Sequence, residues 1–122
     1  MWIALIITSW NRLTEYVRDR IDPPFVTAKA ISSEHRRHIK KQFADFNELY
    51  GQLVPASFYM DVSSAMVKAE IMKAVKEMTK EYRLMWNQYS VLPFSLHHRK
   101  RYLLHNPDEM ETELQALFSR PV

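Results

Sequence analysis

Glycine is nearly missing from this chain, with one residue, Gly51, among 122. Tight hairpins, phosphate-cradling loops and dinucleotide fingerprints draw on glycine for positive φ or close backbone approach. Its scarcity argues for helices and against β-rich or nucleotide-binding folds. Cysteine is absent altogether. That removes disulfides, thiolate catalysis, cysteine-ligated zinc and iron–sulfur clusters. Long apolar runs are missing too. The opening stretch from Trp2 to Thr8 falls far short of the roughly 20 residues that span a bilayer. It also lacks a basic leader and a small-residue cleavage site, so it reads poorly as a signal peptide. No internal repeat, low-complexity tract or linker interrupts the chain.

The charge balance is mild, at +3 with an isoelectric point near 9.2. It permits contact with nucleic acid, anionic lipid or acidic protein and demands none of them. Hydrophobic residues at 47% and charged residues at 25% describe an ordinary folded protein, expected as one domain over 1–122.

What the chain does have is helical periodicity. Val67, Ile71, Ala74, Met78, Tyr82, Met85 and Tyr89 recur in steps of four and three, which keeps them on one stripe. No proline or glycine breaks that run, and Asp61, Ser63 and Ser64 each offer a cap. A helix over 62–90 is therefore expected, roughly 43 Å long at about 1.5 Å per residue. Glu70, Glu77 and Glu81 edge its stripe on one side, and Lys73, Lys76, Lys80 and Arg83 on the other. Met72, Val75 and Trp86 widen the apolar face towards the basic side.

Shorter helices surround it. Ile3, Ile6, Trp10, Leu13 and Val17 share a face, predicting a helix over 4–21 that Asp22-Pro23-Pro24 ends. The segment FVTAKAI from Phe25 is ambiguous between a connector and a helical turn. Ser32 or Ser33 caps a second helix over 33–50, with Ile39, Phe43, Phe46, Tyr50 and Leu53 on its stripe. Gly51 suits the left-handed residue that closes it, and LVPASFYM follows as a connector around Pro55. Past Leu92-Pro93, Ser95 caps a short helix over 95–105 aligning Leu96, Arg99 and Leu103. Asn106, Pro107, Asp108 and Glu109 then form the strongest start signal in the chain. They open a helix over 107–118 with Met110, Leu114 and Leu117 inward, closed by Arg120-Pro121.

Catalytic and metal chemistry find little footing. His35 and His38 share a helical face, His97 and His98 are adjacent, and His105 is alone. No H-E-x-x-H or cysteine partner accompanies them, and lysines and arginines nearby oppose a dication. No G-x-S-x-G elbow is present. No catalytic, cofactor or metal residue is assigned, and the chain is read as a non-enzyme.

Two basic clusters remain, HRRHIKK and HHRKR. Arg36, Arg37, Lys40 and Lys41 crowd a helix N-terminus, where positive charge opposes the macrodipole. Either the Glu70–Glu77–Glu81 edge or an outside partner should compensate them. Neither cluster fits a helix-turn-helix, RNA-recognition or zinc-finger pattern.

The sequence thus predicts an all-α, elongated protein, with one long central amphipathic helix and three to four shorter ones. The functional reading is a non-catalytic accessory subunit of a larger assembly, touching other protein subunits through amphipathic helices. The aromatic content of 12% and seven methionines are expected to supply adaptable contact surface. Arg36, Arg37, Lys40, Lys41, Met72, Trp86, His97, His98, Arg99 and Arg101 are the partner-binding candidates. The apolar, arginine-containing first helix suggests a respiratory-type complex of the mitochondrial inner membrane, with anionic lipid as a further candidate contact for that helix. The alternative is a peripheral, ribosome-associated ribonucleoprotein component gripping phosphates without reading sequence.

Overall fold

A computed structural model describes residues 2–18, 33–58, 65–90 and 95–118. They form α1 (Trp2–Arg18), α2 (Ser33–Phe58), α3 (Ala65–Tyr89), α4 (Leu96–Tyr102) and α5 (Pro107–Phe118), with no strand among the described residues. The expected caps at Asp61, Ser63 and Ser64 lie outside these residues, as do the breaks at Pro23-Pro24, Pro93 and Pro121. So do FVTAKAI and the predicted last turn of the first helix.

Ring contacts give the helix directions. Trp10 of α1 meets Tyr50 of α2 edge-on at 6.3 Å, whereas Gln42 Nε2 donates to the Tyr16 carbonyl at 2.6 Å. The two helices therefore run antiparallel. Phe46 stacks on Tyr82 at 4.5 Å and Phe43 meets Tyr89 at 6.4 Å, so α3 returns along α2, parallel to α1. The α1–α3 seam is the broadest in the fold. α5 lies back along α3, with Arg83 held between Asp108 at 2.9 Å and Glu111 at 3.0 Å.

The stripes read from the sequence make the core. Ile6, Trp10, Leu13 and Val17 are buried together with Ile39, Phe43, Phe46, Tyr50 and Leu53. From α3, Ile71, Ala74, Met78, Tyr82, Met85 and Tyr89 join them. Fully burying such side chains contributes roughly 1.5–3 kcal/mol each, which is why the apolar periodicity dictates the packing. Much of the described aromatic and methionine content expected at partner surfaces lies here instead. Trp10, Phe43, Phe46, Tyr50, Tyr82, Tyr89, Met78 and Met85 are each at most 2% exposed.

Two helix ends and one buried face differ from expectation. α2 does not stop at Gly51 but runs through Pro55, and its 26 residues match the 25 of α3. Gly51 has no positive φ. Pro55 removes the N–H that would bond the Gly51 carbonyl, yet its ring faces solvent. Continuing the helix buries Leu53 and Ser57, and Trp10 Nε1 donates to Ser57 Oγ at 3.2 Å. α4 ends at Tyr102, because residues 103–106 turn to place Asn106 as the α5 cap. Asn106 Oδ1 accepts from the Asp108 N–H at 2.9 Å. On α5 the buried series is Pro107, Met110, Leu114 and Phe118, and Leu117 is only half-buried.

Candidate functional site

The four cations at the start of α2 separate around the helix. At about 100° per residue, Arg36 and Lys40 share one side while Arg37 and Lys41 share another. Lys41 Nζ pairs with Asp45 at 2.7 Å, one turn along the same helix. That hydrogen bond, and then the Asp45 charge, hold the Lys41 ammonium above its usual range. Arg37 stays exposed. Arg36 and Lys40 are half-buried on the side that α4 approaches.

α4 forms because Ser95 caps it, its Oγ accepting the His98 N–H at 3.2 Å. Arg99 Nη1 donates to the Ser90 carbonyl at 2.7 Å, which stitches the helix to the end of α3. From α2, Asn47 Nδ2 donates to the Tyr102 carbonyl at 2.9 Å. A small apolar cleft between Ile39, Phe43, Tyr102 and Leu103 separates α2 from α4, rimmed by Lys40, His98 and Arg99. It holds about 10 Å³, no more than a water-sized group requires.

His98 stands where the two clusters meet. Its ring lies 6.2 Å from Tyr102 and 5.8 Å from the exposed His97, and the Arg101 guanidinium sits 5.6 Å over the Tyr102 ring. Partial burial, then Lys40, His97, Arg36 and Arg101, hold the His98 imidazole below its usual value of 6.5. Every charge in that set is positive. The fold therefore brings two basic clusters distant in the sequence to one cleft, lined by Lys40 of α2 and by His98 and Arg99 of α4.

Met72 and Trp86 do not belong to it. Trp86 is half-buried against the core, its ring 6.1 Å from Tyr82. Met72 is half-buried beside Val75 in a groove of about 290 Å³ between α3 and α5. The glutamate edge of α3, one of the two candidate compensators of the α2 cluster, turns towards α1. Glu77 and Glu81 pair with Arg18 at the end of α1. Sequence reading missed that partner although Arg18 lies off the α1 stripe, and it missed Asn47 and Ser90 as the polar anchors of α4. His105 packs its ring 4.6 Å from Tyr50. Among the described residues no three potential metal ligands come together.

The first helix gives its described stripe to the core. Among its described residues, Ile6, Trp10, Leu13 and Val17 are taken up by the core, and Leu5 is exposed. No described helix is long and apolar enough to cross a membrane.

Residues 3–116 match the family described as the C-terminal part of the Exo70 subunit of the exocyst complex. The exocyst complex component EXO70 of Saccharomyces cerevisiae is 25% identical over 120 residues, covering 95% of this chain and 18% of that relative. The chain thus spans about a fifth of the length of that curated relative. No solved structure matches. These matches overturn the respiratory-type and ribosome-associated readings and, with them, the mitochondrial location. The apolar, arginine-containing first helix that suggested mitochondria is the first core helix of a different family. The chain belongs to the family of Exo70 exocyst C-terminal regions.

Proposed function

We propose that this chain is a non-catalytic helical module of an exocyst subunit, acting within that tethering complex by holding a neighbouring protein. Its basic α2–α4 face docks a carboxylate-rich surface of another subunit. The observation that carries this reading is the meeting of Lys40 of α2 with His98 and Arg99 of α4 around one cleft. Gathering like charges on one face costs electrostatic energy in the free chain, and an acidic surface relieves it while steering association. The cleft beneath holds about 10 Å³, so contact falls on the charged rim and on Leu96, which is 68% exposed on α4.

Affinity purification of the tagged chain from native extract, with mass spectrometry of co-purifying proteins, tests the assembly. Exocyst subunits are the expected recovery. A monomer with no exocyst subunit attached would overturn the proposal.

A further inference from the structure

We infer that the groove between α3 and α5 docks an amphipathic helix of a partner protein, one that carries its carboxylates along a single edge. This groove lies on a different face from the α2–α4 cleft, and the inference does not rest on that cleft.

Two lysines from the basic side of α3 carry the argument. Lys76 and Lys80 are exposed, and both line the α3 rim of the groove. Neither has an ion-pair partner among the described residues. The carboxylate on the opposite rim, Glu111, is taken by Arg83 at 3.0 Å, and Gln115 beside it is neutral. The charge left open in the groove is therefore positive and lies along α3.

The floor is apolar. Met72, Val75 and Leu114 form it, around a volume of about 290 Å³. Thr79 beside them is 5% exposed and gives its hydroxyl to the Val75 carbonyl at 2.8 Å. An extended peptide lying there would set its own N–H and C=O groups against apolar side chains, at a cost for each one left unpaired. A helix satisfies its backbone internally and fills a groove with anchors at i, i+3, i+4 and i+7. The unbranched Met72 side chain adapts to such anchors. Lys76 and Lys80 stand about 6 Å apart along the helix axis. Carboxylates four residues apart on one edge of the incoming helix match that spacing, and its other edge, over Glu111 and Gln115, carries none. A flat anionic membrane fits worse, because the floor is recessed and Asp108 and Glu109 stand exposed on α5 just before Glu111.

Photo-crosslinking of the whole chain in native extract tests this, with Gln115→benzoylphenylalanine placing the probe at the groove rim. Mass spectrometry of the adduct should give a partner segment with helical apolar periodicity and Asp or Glu four residues apart. Lys76→Glu/Lys80→Glu should lower the adduct yield roughly tenfold, and the neutral Lys76→Gln/Lys80→Gln by less. Arg37→Glu/Lys41→Glu, which changes charge equally on α2, should leave the yield intact. Circular dichroism confirms that each variant remains helical. An adduct segment without that pattern, a yield insensitive to the two lysines or lowered equally by both reversals, or no protein adduct overturns the inference. So does binding to phosphatidylserine vesicles that Lys76→Glu/Lys80→Glu abolishes, which would assign the lysines to a membrane. None of these results touches the α2–α4 docking.

Discussion

The Tyr82 hydroxyl donates a 2.6 Å hydrogen bond to the His105 carbonyl, tying the middle of α3 to the connector between α4 and α5. Burial pushes the Tyr82 phenol well above its ordinary pKa of 10.0, so it stays a donor at any physiological pH. Tyr82→Phe keeps the ring stack on Phe46 but leaves that carbonyl without this donor. It should cost about 1–2 kcal/mol in urea unfolding, with the helical content unchanged. No measurable cost would show that the connector is not held this way.

Met85 is fully buried on the same helix. Met85→Ala should destabilise the isolated chain by roughly 2–5 kcal/mol, through lost transfer energy and a residual cavity. A mutant with unchanged melting but weakened association would instead place this residue at a subunit interface.

Gly51 sits inside α2, exposed, with nothing within 4 Å of where a Cβ would be. Gly51→Ala should therefore stabilise the chain by about 0.5–1 kcal/mol, by restricting the unfolded state and favouring the helix. A destabilised mutant would mean that the helix does end there, as the sequence alone suggests.

His105 is half-buried beside Tyr50, and burial holds its pKa below 6.5 against the weaker, opposing pull of Glu113. The unfolded chain binds the proton more readily than the folded one. Stability is thus fully present above pH 6.5, falls as the pH drops through that value, and levels off below the folded pKa. Urea midpoints measured across that window should decline with acid, and His105→Gln should flatten the decline. A slope unchanged in His105→Gln would assign it to another group.

Much of the fold was legible because periodicity and burial agree. The stripes through Ile6 and Trp10, Phe43 and Phe46, and Tyr82 and Met85 all face inward as read. Gly51 and Pro55 misled because local breaker rules lose to the gain from burying Leu53 and placing Ser57 under Trp10. Leu117 and Phe118 exchange roles because a drift of one residue on a helix decides which side chain reaches the core. Both basic clusters were visible in the sequence. Their merger was not, since it depends on Arg99 and Asn47 anchoring α4 beside α2. The same anchoring explains why Arg36 and Lys40, rather than Arg37 and Lys41, face the second cluster.

That distinction supplies the most direct measurement. Recovery of exocyst subunits should be compared between Arg36→Glu/Lys40→Glu and Arg37→Glu/Lys41→Glu, with circular dichroism confirming that both remain helical. The first pair removes charge from the α2–α4 face, and the second changes the exposed side where Lys41 already pairs with Asp45. The account predicts a loss of roughly tenfold or more for the first pair and little change for the second. Full recovery by the first pair, or equal loss in both, would contradict it.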